Sequence, residues 1–124
     1  MSTGNDILQF SLYIPLQAAG TDRKVYKTFE PSGEWYIEAE GFMPDDSVTA
    51  NNSNYSTITA TNETDTATLH TFNTKILGGT ALTAGTEVAN ASITNGSARQ
   101  FSQGDVISVS KADSGSGQAL GGTY

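Results

Sequence analysis

Residues 104–124 read GDVISVSKADSGSGQALGGTY. Gly104-Asp105 is a turn that opens a strand. In that strand Val106 and Ser108 oppose Ile107 and Val109, the period of two that marks an extended chain between two environments. A polar, glycine-rich stretch follows over 114–122, then Thr123 and Tyr124, two good strand formers. The chain stops where one more strand should begin. Two expectations follow. Residues 104–110 form a core strand. Residues 114–124 form a glycine-rich C-terminal tail whose tip, Thr123-Tyr124, is either a loose end or gains order by pairing with the sheet edge of a neighbouring subunit.

The same period governs the rest of the chain. Over 7–14, ILQFSLYI, residues Leu8, Phe10, Leu12 and Ile14 share one face, and Gln9, Ser11 and Tyr13 share the other. Pro15 ends the run or places it at an edge. Residues 25–29 form a short strand closed by Pro31-Ser32-Gly33. Over 34–42, alternation turns Trp35 and Ile37 inward and Glu38 and Glu40 outward. GFMPDDS is a turn carrying Phe42 and Met43, which are either tucked under a sheet or offered to a partner. YSTITATNETD is a threonine-rich strand with Ile58 and Ala60 inside. Over 66–74, Ala67, Leu69 and Thr71 share one face, and His70 and Phe72 the opposite one. LGGTALTAGT holds a sharp turn, and residues 88–94 form a strand followed by the turn NGS. No window carries a 3.6-residue apolar stripe. Short strands at this spacing, with turn signals between them, predict an all-β chain: an antiparallel, jelly-roll-like β-sandwich of seven or eight strands. It is expected to be one domain over 1–124, with residues 1–6 as an N-terminal arm.

Composition excludes several functions. The chain has 124 residues, no cysteine and one histidine, which rules out disulfides, thiolate metal sites and multi-histidine clusters. The net charge is −7 with six basic residues, so phosphate backbones and anionic membranes are poor partners. The opening MSTGNDIL has no basic region and no long apolar run. No signal peptide or membrane helix is expected, and synthesis in a cytoplasm is.

Candidate chemistry is sparse. A Ser-His-Asp set would need His70, which sits mid-strand in TLHTF, where a structural role is the simpler reading. Glu38 and Glu40 share a strand face, as a glycosidase pair can, but no aromatic cleft is visible around them. Asp45-Asp46 with Asn51, Asn52 and Asn54 offers oxygen ligands without EF-hand spacing, and such residues also serve turn geometry. GSGQALGG has no following lysine and no helix, so it is not a phosphate loop. Asn-x-Ser/Thr occurs at Asn51, Asn54, Asn62, Asn90 and Asn95, as a chain rich in Asn, Ser and Thr will produce. Trp35, Tyr36, Tyr26 and Tyr55 would suit sugar stacking, but alternation sends Trp35 and Tyr36 to opposite faces. No catalytic residue, metal or cofactor is expected.

The second half, TATLHTFNTKILGGTALTAGTEVANASITNGSARQFSQGDVISVSKADSGSGQAL, carries a Gly-Gly-Thr-Ala-Leu turn after a strand. F-x-x-GD-x-I-x-V then runs into a Gly-x-Gly loop. In this it resembles the small all-β head decoration, or cement, proteins of tailed bacteriophages. The SLYIPL strand and the Pro31 turn fit their first half. The resemblance implies a homo-oligomer, often a trimer, bound to the coat protein on the outer capsid surface of a virion, where it clamps adjoining subunits. It departs from the pattern after the Gly-x-Gly loop, where only Thr123-Tyr124 stands in place of a final apolar strand. Partner contacts are expected from Ile7 and Leu8, from Phe42 and Met43, and from Thr123 and Tyr124. A receptor- or glycan-binding domain of a phage fibre or bacterial adhesin is the alternative.

Overall fold

The computed structural model describes residues 8–91 and 99–124. The expected arm over 1–6, Ile7, the strand residues 92–94 and the NGS turn lie outside the described residues.

Ten strands run through them: β1 (Tyr13–Gln17), β2 (Arg23–Thr28), β3 (Glu34–Tyr36), β4 (Gly41–Pro44), β5 (Tyr55–Asn62), β6 (Ala67–Asn73), β7 (Val88–Ala89), β8 (Gln100–Ser102), β9 (Val106–Ser114) and β10 (Leu120–Thr123). Every pairing is antiparallel. One sheet has the order β1-β10-β4-β7 and the other β2-β9-β5-β6, while β3 and β8 form a separate ribbon. The chain crosses between the two sheets repeatedly instead of finishing one before starting the next. This is the interleaved double Greek key of a jelly roll, so the expected fold class is the one observed. The strand count exceeds seven or eight because β3, β7 and β8 are only two or three residues long.

Residues 104–124 supply an interior strand to each sheet. Gly104 has φ 96°, a left-handed turn conformation open to glycine, and Asp105 caps that turn by accepting the Ser102 amide at 3.0 Å. β9 then lies between β2 and β5, and β10 between β1 and β4. The expectation of a C-terminal tail is therefore corrected. Thr123 pairs with Tyr13 on one side and Met43 on the other, and Leu12 and Tyr124 exchange both backbone bonds at 3.0 and 2.8 Å. The glycines are the reason a strand was hard to see. A Cβ at Gly121 would stand 2.7 Å from the Leu16 amide nitrogen and 2.8 Å from the Ile14 carbonyl oxygen, and one at Gly122 would overlap the Met43 carbonyl and the Phe42 ring. LGGT is a strand squeezed between neighbours that leave no room for side chains.

Between the sheets, β5 buries Ser56, Ile58, Ala60 and Asn62 on every second residue. Ile107 and Val109 of β9 join them, as do Ile14, Phe42 and Leu120 from the opposite sheet. Burying each of the large side chains contributes about 1.5–3 kcal/mol. Alternation mis-sorted β6. The register slips between Ala60 and Thr61, which leaves Leu69 as an extra residue. This bulge buries Leu69 and also turns His70 and Phe72 to the inner face, opposite Ala60 and Ile58, while Thr71 is exposed.

The loops beside Tyr55, Asn73 and Ser114 close one end of the sandwich with polar groups. Lys111 points inward from β9, fully buried. It donates to the carbonyls of Ala18 and Thr21 at 3.0 Å each and pairs with Asp113 at 2.6 Å. Asp113 also accepts the Gly20 amide at 2.7 Å and the Ser56 hydroxyl. Gln118 receives the Thr74 hydroxyl and donates to the Thr49 carbonyl at 2.5 Å.

Candidate functional site: an apolar cleft

The opposite end, beside Asn62, Ala67 and Ile107, is built differently. β3 stops at Tyr36, and residues 37–40 leave the strand geometry before β4 begins. Between them, residues 8–12, β8 and the end of β10 lies a cleft of about 890 Å³. Phe10, Phe29 and Phe101 make one wall, with successive ring centroids 5.5 and 5.7 Å apart. Leu12, Leu69 and Ile107 also line it. Lys27 holds the 8–12 segment in place, donating to the Ser11 carbonyl at 2.9 Å with its ammonium 4.8 Å from the Phe10 ring centre. Trp35 lines the cleft with its indole N–H satisfied by the Ser32 carbonyl at 2.9 Å.

A buried polar cluster adjoins these apolar walls. Arg99 donates to Glu40 Oε1 at 2.8 Å and to the Leu69 carbonyl, freed by the bulge, at 2.6 Å. Asn90 donates to the same Glu40 oxygen at 2.5 Å. Among the described residues, Glu40 Oε2 is buried without a hydrogen-bond partner. Near this cluster the Tyr124 hydroxyl meets His70 Nδ1 at 2.9 Å. Burial lowers the affinity of His70 for a proton below the ordinary imidazole range, the nearby Glu40 opposing this and Arg99 adding to it. Burial, then the Glu40 charge, raises the Tyr124 phenol far above its ordinary range. Both shifts favour the neutral forms, and the hydrogen bond ties β6 to the residue that follows β10.

Of the expected contact residues, Leu8, Met43, Thr123 and Tyr124 all line this one cleft. Leu8 is 42% exposed and Met43 46%. Phe42 does not join them. The GFMP segment is a strand and not a turn, so its side chains alternate: Phe42 is fully buried against Phe72 and Met43 faces out. Ile7 lies outside the described residues. The outward placement of Glu40 is corrected as well, because the break after Tyr36 ends the period that predicted it; its side chain is only 5% exposed, whereas Glu38 is exposed. The Arg99–Glu40 pair had no signal in the sequence, since the partners are 59 residues apart and neither belongs to a motif.

The other candidates serve local structure. Asp45 accepts the Tyr13 hydroxyl at 2.9 Å, and Asn51 caps the amides of Ser53 and Asn54 at 2.8 Å. Among the described residues no group of three or more His, Asp or Glu side chains is placed to hold a metal ion. Asn62 is buried and Asn90 is bonded to Glu40, so neither presents its amide for glycosylation. No helix among them is long and apolar enough to cross a membrane.

No protein-family model, curated protein or solved structure matches this chain.

Proposed function

We propose that this is a non-enzymatic structural protein that docks on the coat protein at the outer surface of a phage capsid, as a homo-oligomer in the manner of head decoration proteins. The observation that carries the reading is the convergence of Leu8, Met43, Thr123 and Tyr124, drawn from both ends of the chain and from its middle, on one open apolar cleft. Apolar side chains grouped at an opening are what a docking surface presents to a partner. The wiring of the site supports the same reading. Its histidine and tyrosine are neutral and bonded to each other, and its buried carboxylate is held by an arginine. Many copies on a lattice would make modest contacts act together, because each added contact becomes effectively intramolecular. The acidic surface would steer the protein to a basic patch on the coat.

One observation favours a second reading, a receptor- or glycan-binding module. Tyr36, 60% exposed, and Trp35 line the same cleft and offer flat aromatic surface of the kind sugars stack on. Mixing the purified protein with undecorated phage heads and, separately, with a glycan array decides between them. Saturable co-sedimentation with heads and a blank array supports decoration. Glycan binding with no uptake on heads replaces it by the second reading.

A further inference from the structure

Among the described residues, Ile76 and Leu77 are adjacent large apolar side chains that both meet solvent, at 62% and 76% exposure. They are held there firmly. Asn52 Oδ1 accepts the amides of both residues at 3.1 Å, and Asn73 Oδ1 accepts the Lys75 amide at 3.1 Å. Thr80 closes the loop on the Asn73 carbonyl at 2.9 Å, around Gly78 at φ 73°. An exposed apolar pair on a braced loop is a preorganised knob, since little conformational freedom remains to be lost on binding.

The knob and the cleft lie at opposite ends of the sandwich. The knob loop leaves β6 at Asn73, and the register sets Asn73 against Thr57 and Ser114 against Tyr55 at that end. The cleft end holds Asn62 against Ala67 and Ile107. The span of β5 between them is about 23 Å at roughly 3.3 Å per residue.

Their charges are complementary. Of the six cations, Arg99 and Lys111 are buried in ion pairs and Arg23, Lys24 and Lys27 lie on β2. The remaining one, Lys75, directly precedes the knob, half-buried with its ammonium 4.4 Å from the centre of the Tyr55 ring. The cleft is lined by the exposed carboxylates Glu38 and Glu87. The Lys-Ile-Leu segment thus carries an exposed apolar pair beside a positive charge, and the cleft is apolar with two exposed carboxylates at its border and Lys27 behind the Phe10 wall.

We infer that the occupant of the cleft is the Lys75-Ile76-Leu77 knob of a second copy of this chain. This rests on the reading of the cleft end as a protein-contact surface. The contact is heterologous, head to tail: each copy uses one surface to give and a different one to receive. Such contacts generate rings when the rotation between copies closes and open chains when it does not.

Complementation tests it. A knob variant (Ile76→Asp with Leu77→Asp) and a cleft variant (Leu8→Asp with Tyr36→Asp) alter exposed side chains, and Leu77→Ser serves as a milder third. Sedimentation velocity across a concentration series should show reversible association of the wild-type chain. Each double variant alone should be monomeric, and Leu77→Ser should weaken association by about tenfold. Mixed in equal amounts, the two double variants should form a heterodimer that grows no further, because only one intact knob and one intact cleft remain. A wild-type chain monomeric to about 1 mM, association unchanged in either double variant, or a mixture that stays monomeric would each overturn the inference. Co-sedimentation of the same proteins with phage heads separates the two ideas. Uptake on heads by a chain that does not self-associate removes only the knob-in-cleft contact. Self-association without uptake removes only the capsid reading.

Discussion

The two ends of this sandwich solve the closing of a jelly roll in opposite ways. At the knob end, polar side chains are turned inward and satisfied. Lys111 is fully buried yet donates to two carbonyls and a carboxylate, and the Ser56, Thr74 and Gln118 side chains complete the network. At the cleft end, apolar side chains are left around an opening, and a buried carboxylate oxygen has no donor among the described residues. Buried polar groups are stable only when every member is bonded. The first end is thus finished within the chain, and the second is the one that the proposed function assigns to a partner. The contrast separates what holds the fold from what is free to bind.

Breaking the finished end should have the largest effect. Lys111→Met leaves the buried Asp113 charge without its ammonium and should lower unfolding free energy by about 3–5 kcal/mol, read from urea midpoints at constant m. The pH dependence of that loss is a second readout of the same pair. Burial pushes the Asp113 carboxyl up, and Lys111, Ser56 and the Gly20 amide more than offset this, so it lies below its ordinary value of 3.8. A depressed carboxylate contributes stability above that value and loses it as pH falls through the folded-state value. The gap between wild type and Lys111→Met should therefore narrow below about pH 3.8, where a protonated Asp113 no longer needs the cation.

Gly122→Ala tests the place of β10 between β1 and β4. Its methyl would meet the Met43 carbonyl and the Phe42 ring, and a backbone atom cannot swing away. The expected destabilisation is about 1–3 kcal/mol by thermal or urea unfolding. A neutral result would mean that β10 is not packed between its neighbours. The smallest effect belongs to the open end. Tyr36→Ala should change stability by no more than about 0.5 kcal/mol, since its ring stands mostly in solvent, while lowering association of the folded protein. A large stability loss there would make the cleft a part of the core and remove it as a binding surface.

Much of the fold was legible in the order of the residues. The alternation in YSTITATN predicts the buried face of β5, and Gly104-Asp105 marks the turn into β9, because both signals are local. The errors fall where a local period is interrupted by something distant. The bulge at Leu69 turns His70 inward because the partner strand sets the register. Glu40 is buried because Arg99 is there to receive it. The candidate site is legible only in pieces: the sequence points to Leu8, Met43, Thr123 and Tyr124 separately, and no local signal brings them together. Ile76-Leu77 before Gly78-Gly79 is a local sign of a presented apolar tip, bulky residues beside a turn.

Composition and pattern alone settled that this chain is an acidic, all-β protein without cysteine or a histidine cluster, since net charge, residue types and a period of two are properties of the chain itself. Only the tertiary structure decided that LGGT is an interior strand. A run of glycines has no side-chain pattern to read, and its reason for being there is the nearness of β1 and β4, which exists only once the sandwich has closed.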